Sequence, residues 1–159
     1  MTVTLGINGF GRIGRNVLRA IIESKRKDIE VVAINNRSSL EVCAHLLKYD
    51  SVHGTFPYEI SISENNLHVG NKKIFVSNET TIDELRWDKS NVDLVMECTG
   101  KFNNAEECQK HINAGTSKVL ISAPAKDADL TVVYGVNNEK INSGHNIISN
   151  ASCTTNCLA

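Results

Sequence analysis

The residue best suited to covalent chemistry is Cys153, within the run at residues 152–156 (SCTTN). This run predicts a short loop that enters a helix, with the cysteine at the helix start. The partial positive charge of a helix N-terminus stabilises a thiolate, and a thiolate is a strong nucleophile for a carbonyl carbon. The alternative is a packing role, because a single cysteine is more often part of a core than a catalyst.

The other four cysteines are predicted to be structural. Cys43, Cys98 and Cys108 fall on apolar faces or strands, which is typical of packing residues. Cys157 follows Cys153 by one helical turn and is interpreted as structural too, with a redox role as the alternative. Five cysteines without metal-ligand spacing predict neither a disulfide framework nor a metal site.

A second chemical feature is the run at residues 9–14 (GFGRIG), which matches the G-x-G-x-x-G phosphate-loop motif. The motif is weak alone, but here it follows a predicted strand and opens a predicted helix. Gly9 would permit a tight turn, Gly11 the approach of a pyrophosphate, and Gly14 the close packing of helix on strand. The helix N-terminus would then offer unpaired N–H groups to phosphates. The alternative is a purely structural glycine-rich turn.

The position that would bind the adenosine ribose has no carboxylate. In NAD sites an Asp or Glu at the end of the second strand, about 20 residues after the glycines, binds the ribose hydroxyls. Here the strand is followed by Asn36, Arg37 and Ser38. An Arg can accommodate the 2′-phosphate of NADP, so we expect NADP to be accepted at least as well as NAD. The alternative is that Arg37 is a solvated loop residue.

These residues lie in a chain that alternates strand-like and helix-like segments, the pattern of a parallel α/β sheet. Buried strands are predicted at residues 3–8, 30–35, 93–98, 118–122, 131–135 and 146–149. Residues 58–63, 67–69 and 73–76 predict an antiparallel ribbon instead. The predicted fold class is therefore α/β, a doubly wound Rossmann-type domain with a mostly parallel sheet and a small antiparallel insertion.

Three helices should connect these strands. The first would bury the face that carries Ile13, Val17, Ala20 and Ile21. The second would begin at a capping box formed by Ser38 and Glu41. The third would carry Ala105, Cys108 and Ile112 on its apolar face and end at Gly115.

Composition excludes several classes of partner. A length of 159 residues suits one globular domain, and a net charge of -1 indicates no general attraction to nucleic acid or to an anionic membrane. The sequence has neither an apolar run of transmembrane length nor an N-terminal signal segment, so we expect a cytoplasmic location.

Five sequence blocks resemble those of the glyceraldehyde-3-phosphate dehydrogenase family. They occur in the family's order and span essentially the whole chain, which makes the combination far more specific than any single motif. The blocks are residues 7–15 (INGFGRIGR), 48–54 (KYDSVHG), 97–100 (ECTG), 121–125 (ISAPA) and 149–156 (SNASCTTN).

The resemblance implies a role for each cofactor residue. The backbone N–H groups of Arg12 and Ile13 would bind the pyrophosphate, and Asn36 stands in place of the family's ribose-binding Asp. Thr80 stands where many members have an Arg or Lys, and its backbone would contact the adenine side. The nicotinamide end would be lined by Thr99, Gly100 and Ser122.

The resemblance also implies a reaction. Cys153 would attack the aldehyde of glyceraldehyde 3-phosphate, hydride would pass to NAD or NADP, and inorganic phosphate would release the resulting thioester as an acyl phosphate. Ser152 and Thr154 would lie near the substrate and the incoming phosphate. The family's general-base histidine belongs to a second domain, so residues 1–150 would be the dinucleotide-binding domain and residues 151–159 the truncated start of the catalytic domain. The family forms homotetramers.

Two alternatives remain open for the function. Erythrose-4-phosphate dehydrogenase is a sister enzyme with the same cysteine block, and the first domain does not separate the two substrates. A non-catalytic nucleotide-binding or redox module could also be built from this fold.

Overall fold

The computed structural model describes residues 2–159 as a mixed α/β fold. Its strands are β1 (Val3–Asn8), β2 (Ile29–Asn35), β3 (Tyr49–Asp50), β4 (Gly54–Thr55), β5 (Ile60–Ser63), β6 (Asn66–Val69), β7 (Lys72–Ser77), β8 (Leu94–Glu97), β9 (Lys118–Ile121), β10 (Leu130–Thr131) and β11 (Ile147–Ser149). Its α-helices are α1 (Arg12–Glu23), α2 (Leu40–Lys48), α3 (Ala105–Asn113) and α4 (Cys153–Leu158). Short 3-10 turns occur at Ile82–Glu84, Trp87–Ser90 and Asn138–Lys140.

Nine of these strands form one sheet in the order β10-β11-β9-β8-β1-β2-β7-β6-β5. All neighbouring pairs from β10 to β7 are parallel, which confirms the predicted mostly parallel sheet. After β1 the chain runs outward on one side through β2, and it later returns to the other side of β1 as β8. Such a reversal of strand order opens a crevice at the carboxyl ends of the strands, which is where open α/β sheets bind ligands.

Both faces of the sheet are covered, because alternate residues of a strand point to opposite sides. In β2, Ile34 packs in a core with residues of α1 and α2, whereas Ala33 packs in a separate core around Trp87. A third cluster joins Cys108 of α3 to β9 and β11. The sheet is therefore a rigid layer whose carboxyl edge can hold loops in fixed positions.

The predicted buried face of α1 is partly wrong. Its buried residues are Gly14, Leu18 and Arg19, whereas Ile13 is 49% exposed and Ala20 is also exposed. The buried face is rotated because Gly14 must lie directly against β1 and because Arg19 points inward.

The antiparallel ribbon of β5, β6 and β7 is confirmed. It is not separate from the main sheet, since β7 also pairs in parallel with β2, as in Ala33 opposite Phe75. A short hairpin follows α2 and is formed by β3 and β4, which have two residues each. The sequence pattern did not predict it. The insertion of β5, β6 and β7 thus extends the sheet on the side of β2.

Two predicted element boundaries are corrected. Helix α2 is capped by Ser39, whose hydroxyl accepts from the N–H of Val42 at 3.4 Å, so the capping-box assignment of Ser38 was one residue early. Ser38 is therefore exposed and does not cap the helix.

Strand β10 ends at Thr131 rather than at residue 135, because the side chain of Asn137 bonds the backbone of Thr131 and Val133.

Two features are absent from residues 2–159. No helix there has both the length and the apolar character that a membrane crossing requires. The same residues contain no group of three or more His, Cys, Asp or Glu side chains arranged to hold a metal ion.

Candidate dinucleotide site

The glycine-rich loop lies between β1 and α1 as expected. Gly9 has φ of +92°, and a Cβ there would lie 2.8 Å from the backbone nitrogen of Thr99. Gly14 has no room for a side chain either, because a Cβ would clash with the carbonyl oxygen of Gly9. Gly11 differs, since a Cβ on it would meet nothing within 4 Å. Two glycines are thus required by the fold, while the third leaves open space beside the backbone.

The start of α1 has the properties of an anion-binding helix terminus. Its N-cap is Gly11, no side chain caps it, and its first turn contains no acidic residue. The N–H groups of the first turn have no partner within a helix, and the helix dipole adds partial positive charge there. These two properties together favour a phosphate group at this end.

Asn36 is engaged in holding the loop. Its Oδ1 accepts from the N–H of Phe10 at 3.1 Å, and its Nδ2 lies 3.2 Å from the Sγ of Cys43 in α2. The side chain therefore ties the glycine loop to the second helix. Arg37, the next residue, is exposed beside it.

Asn35 fixes the segment after β7. Its Oδ1 accepts from the N–H of Glu79 at 2.8 Å, and its Nδ2 donates to the carbonyl of Glu79 at 3.1 Å. Because Glu79 precedes Thr80, this pair of bonds sets the position of Thr80. Asn35 is only 7% exposed, so the two bonds form in a dry environment where they are hard to replace by water.

A cleft of about 240 Å³ opens at this carboxyl edge of the sheet. The predicted residues that line it are Gly9, Gly11, Asn36, Arg37, Thr80 and Thr99. The lining also includes residues that the sequence did not identify, namely Asn8, Asn35, Glu79, Thr81, Ile82, Leu85, Cys98, Lys101 and Phe102. Asn8 and Asn35 are the last residues of β1 and β2, and Cys98 directly follows β8, so the rule that ligands bind beyond the carboxyl ends of parallel strands could have found these three.

The remaining predicted residues do not line this cleft. They are Arg12, Ile13, Gly14, Gly100, Ser122, Ser152, Cys153 and Thr154. Gly100 directly follows the cleft residue Thr99, and its carbonyl accepts from the Nδ2 of Asn103 at 2.9 Å. Arg12 extends its guanidinium to the carboxylate of Asp50 at 3.1 Å, so only its backbone faces the glycine loop.

The packing role of three cysteines agrees with their surroundings. Cys43 and Cys108 are buried in the apolar clusters, and Cys98 is partly buried. Burial raises the pKa of the Cys98 thiol to about 11 and that of Cys108 to about 12. Burial also raises the pKa of Cys43. A thiol with a raised pKa is a poor nucleophile near neutral pH.

Cys153 and Cys157 are the exposed cysteines of the described chain. Cys153 is the first residue of α4, and the N-cap Ser152 accepts from the N–H of Thr155 at 2.9 Å. The Nδ2 of Asn156 donates back to the carbonyl of Asn150 at 2.8 Å, which closes the loop before the helix. The cysteine is therefore presented at a capped helix start, as predicted.

Comparison with known proteins gives a consistent result. Residues 3–105 match the family model described as "Glyceraldehyde 3-phosphate dehydrogenase, NAD binding domain". The whole chain is 55% identical to a glyceraldehyde-3-phosphate dehydrogenase of Xanthobacter flavus and 54% identical to that of Geobacillus stearothermophilus, covering 48% and 47% of those proteins. It is 51% identical to glyceraldehyde-3-phosphate dehydrogenase 1 of Bacillus subtilis, over 47% of that protein. The chain thus spans about half the length of the curated relatives it matches.

Proposed function

We propose that this chain, which belongs to the glyceraldehyde-3-phosphate dehydrogenase family, binds NAD in its cleft. The whole protein is proposed to be a phosphorylating aldehyde dehydrogenase. The observation that carries the proposal is the uncapped start of α1, preceded by Gly11 with open space around its Cα, at the point where the strand order reverses. A pyrophosphate fits this place because helix N–H groups and the helix dipole favour an anion there.

The proposed assignments follow the position of each residue relative to this loop. The backbone of Arg12 and Ile13 binds the pyrophosphate, since both residues belong to the first turn of α1. Thr80 contacts the adenine side, where Asn35 holds its segment in place. The turn that follows β8 and the residue that follows β9 form the nicotinamide end, with Thr99, Gly100 and Ser122 as the contacting residues.

The chemical step is assigned to Cys153. Its thiolate adds to the aldehyde carbon of a phosphorylated aldehyde, and the carbonyl oxygen takes up a proton, which gives a thiohemiacetal on the enzyme. Loss of a hydride from this carbon and of the hydroxyl proton to a base outside this chain would then give a thioester, and NAD bound in the cleft would supply the hydride acceptor. An oxygen of inorganic phosphate then attacks the thioester carbon, the C–S bond breaks, and the acyl phosphate leaves with the thiolate restored. Ser152 and Thr154 flank the cysteine and are assigned to the substrate and the incoming phosphate.

Residues 1–150 form the dinucleotide-binding domain, because the last strand of the sheet ends at Ser149 and residues 153–159 are exposed. The full-length protein acts in the cytoplasm. It assembles as a homotetramer, as the family resemblance implies.

The cleft is also proposed to accept NADP. No carboxylate stands at the end of β2, which removes the group that repels a 2′-phosphate in NAD-specific sites, and the exposed Arg37 can form a charge-assisted bond to it. Ser38 supports this assignment, because Ser39 caps α2 and leaves the Ser38 hydroxyl available to the phosphate.

The substitution Gly11→Val tests the cofactor site. The fold has room for the added side chain, but that side chain would occupy the space in which a pyrophosphate lies against the loop. We expect Gly11→Val to keep the thermal midpoint within a few degrees and to weaken NAD binding by at least about tenfold, a change of about 1.4 kcal/mol. The matched control is Ala20→Val, at an exposed position further along the same helix. Equal NAD affinity in wild type and Gly11→Val, measured by titration calorimetry, would contradict the proposed site.

A further inference from the structure

A buried carboxylate is bonded to Asn8 and Thr99, two residues that line the cleft. Glu97 is the last residue of β8 and is 1% exposed. Its Oε2 accepts from the Nδ2 of Asn8 at 2.6 Å and lies 3.0 Å from the Nε2 of His111. Its Oε1 accepts from the backbone N–H of Thr99 at 2.7 Å and also from the hydroxyl of Thr99. Four polar groups thus converge on one carboxylate.

The direction of the bonds on one side is fixed by Trp87. An indole N–H can only donate, and it lies 3.0 Å from the Nδ1 of His111. Nδ1 must therefore accept, so the proton of a neutral imidazole is on Nε2 and is donated to Glu97. The contact between His111 and Glu97 is accordingly a hydrogen bond to a neutral histidine.

The direction on the other side is fixed by the backbone. The N–H of Glu79 donates to the Oδ1 of Asn35, which orients that amide. The Nδ2 of Asn35 then donates to the Oδ1 of Asn8 at 2.9 Å, and the Nδ2 of Asn8 donates to Glu97. Both chains of hydrogen bonds therefore end by donating to Glu97.

The Thr99 hydroxyl is oriented in the same sense. The N–H of Lys101 donates to the Thr99 Oγ1 at 3.1 Å, so the hydroxyl proton is left to point at Glu97. All four contacts supply their own proton, which leaves Glu97 as an acceptor only, the state of an ionised carboxylate. Within residues 2–159, neither a Lys nor an Arg forms an ion pair with it. Its negative charge is therefore balanced by hydrogen bonds alone.

We propose that Glu97 is an ionised positioning residue that sets the Thr99 turn against the glycine loop and whose charge favours the oxidised cofactor over the reduced one. The proposal rests on the proposed function, because it takes the cleft as the cofactor site. Asn8 directly precedes the glycine loop, and Gly9 packs against the backbone of Thr99. Glu97 thus joins the two backbone segments that flank the cleft. The oxidised nicotinamide ring is cationic and the reduced ring is neutral, so a fixed anion bonded to residues of the cleft lining interacts more favourably with the oxidised form.

The substitution Glu97→Gln removes the charge with little change of shape. A glutamine amide must direct its NH₂ at one of the two donor pairs, so two donors lose their acceptor. We expect the affinity for NAD+ to fall at least about ten- to hundredfold, since the loss of one charged hydrogen bond already has an effect of this size. The affinity for NADH should fall several-fold less, so the ratio of the two dissociation constants moves toward NADH.

Two variants of His111 distinguish a neutral histidine, which accepts from Trp87 and donates to Glu97, from a cationic histidine in an ion pair with Glu97. In His111→Gln the amide can still accept from Trp87 and donate to Glu97, so cofactor affinity should stay within about threefold of wild type. In His111→Leu both partners lose their bond, so NAD+ affinity should fall at least about tenfold. If His111→Gln is as impaired as His111→Leu, the histidine is a cation and the proposal is wrong.

A measurement on the unsubstituted chain needs no variant to fold. The ¹³C shift of the Glu97 carboxyl carbon at neutral pH should be that of a carboxylate, and the ¹⁵N shifts of His111 should show the proton on Nε2. A protonated Glu97 would overturn the proposal. So would equal losses of NAD+ and NADH affinity in Glu97→Gln, because a purely structural role predicts no change in their ratio. If the unsubstituted chain binds neither cofactor, the proposed function fails instead.

Discussion

The substitution Asn36→Asp restores a carboxylate at the end of β2 and should decide which cofactor the cleft prefers. The Oδ1 of Asn36 accepts from the N–H of Phe10, and an aspartate oxygen can accept the same bond. The fold of the glycine loop should therefore be kept. The second oxygen would replace the amide nitrogen that now lies 3.2 Å from the Sγ of Cys43, and it would carry negative charge toward the cleft.

The expected magnitude follows from Coulomb's law. A carboxylate about 6 Å from a 2′-phosphate, at an effective dielectric constant of roughly 20 to 40, gives a repulsion of about 1.5–3 kcal/mol. This corresponds to a roughly ten- to hundredfold loss of NADP affinity. NAD affinity should be unchanged or improved, since a carboxylate accepts more strongly from ribose hydroxyls than an amide does.

The assay is titration calorimetry of NAD+ and NADP+ at one fixed ionic strength, because salt screens the interaction. Arg37→Ala is the companion variant and should lower NADP affinity about tenfold or more while leaving NAD affinity nearly unchanged. The control is Arg26→Ala, which removes a surface charge at the opposite end of β2. The reasoning is refuted if wild type binds NADP at least tenfold more weakly than NAD, or if neither Asn36→Asp nor Arg37→Ala alters the ratio.

Two further predictions concern the fold and the cysteine. Arg19 is 3% exposed and donates to the carbonyls of Leu47, Lys48 and Gly54, so Arg19→Met should lower the free energy of unfolding in urea by about 2–4 kcal/mol; a loss below about 1 kcal/mol would show that water replaces these bonds. Cys153 should be alkylated first by iodoacetamide at mildly acidic pH, because it is exposed at a helix start; earlier labelling of exposed Cys157, read by peptide mass spectrometry, would contradict this.

Local sequence determined the frame of the site. The motif at residues 9–14 requires glycine at Gly14 because a Cβ there would clash with the carbonyl of Gly9, a contact within a strand, a turn and a helix that are consecutive in sequence. Gly9 is required by its positive φ and also by the backbone of Thr99, which only the tertiary structure brings close. The parallel strands could also be predicted from local sequence, because a short continuous run of apolar residues is typical of a buried strand. Asn36, Arg37, Thr80 and Thr99 line one cleft together with Gly9 and Gly11, and their role in cofactor binding stays a prediction.

Tertiary structure alone decided the partners of the polar side chains. Asn8 and Glu97 are 89 residues apart, and Trp87 and His111 are 24 apart, so no local pattern records that they bond one another. The inward direction of Arg19 was missed for the same reason, since its acceptors lie on a later helix and hairpin. Periodicity reports whether a residue is buried or exposed, whereas the direction of a buried hydrogen bond depends on which strands and helices the fold brings side by side.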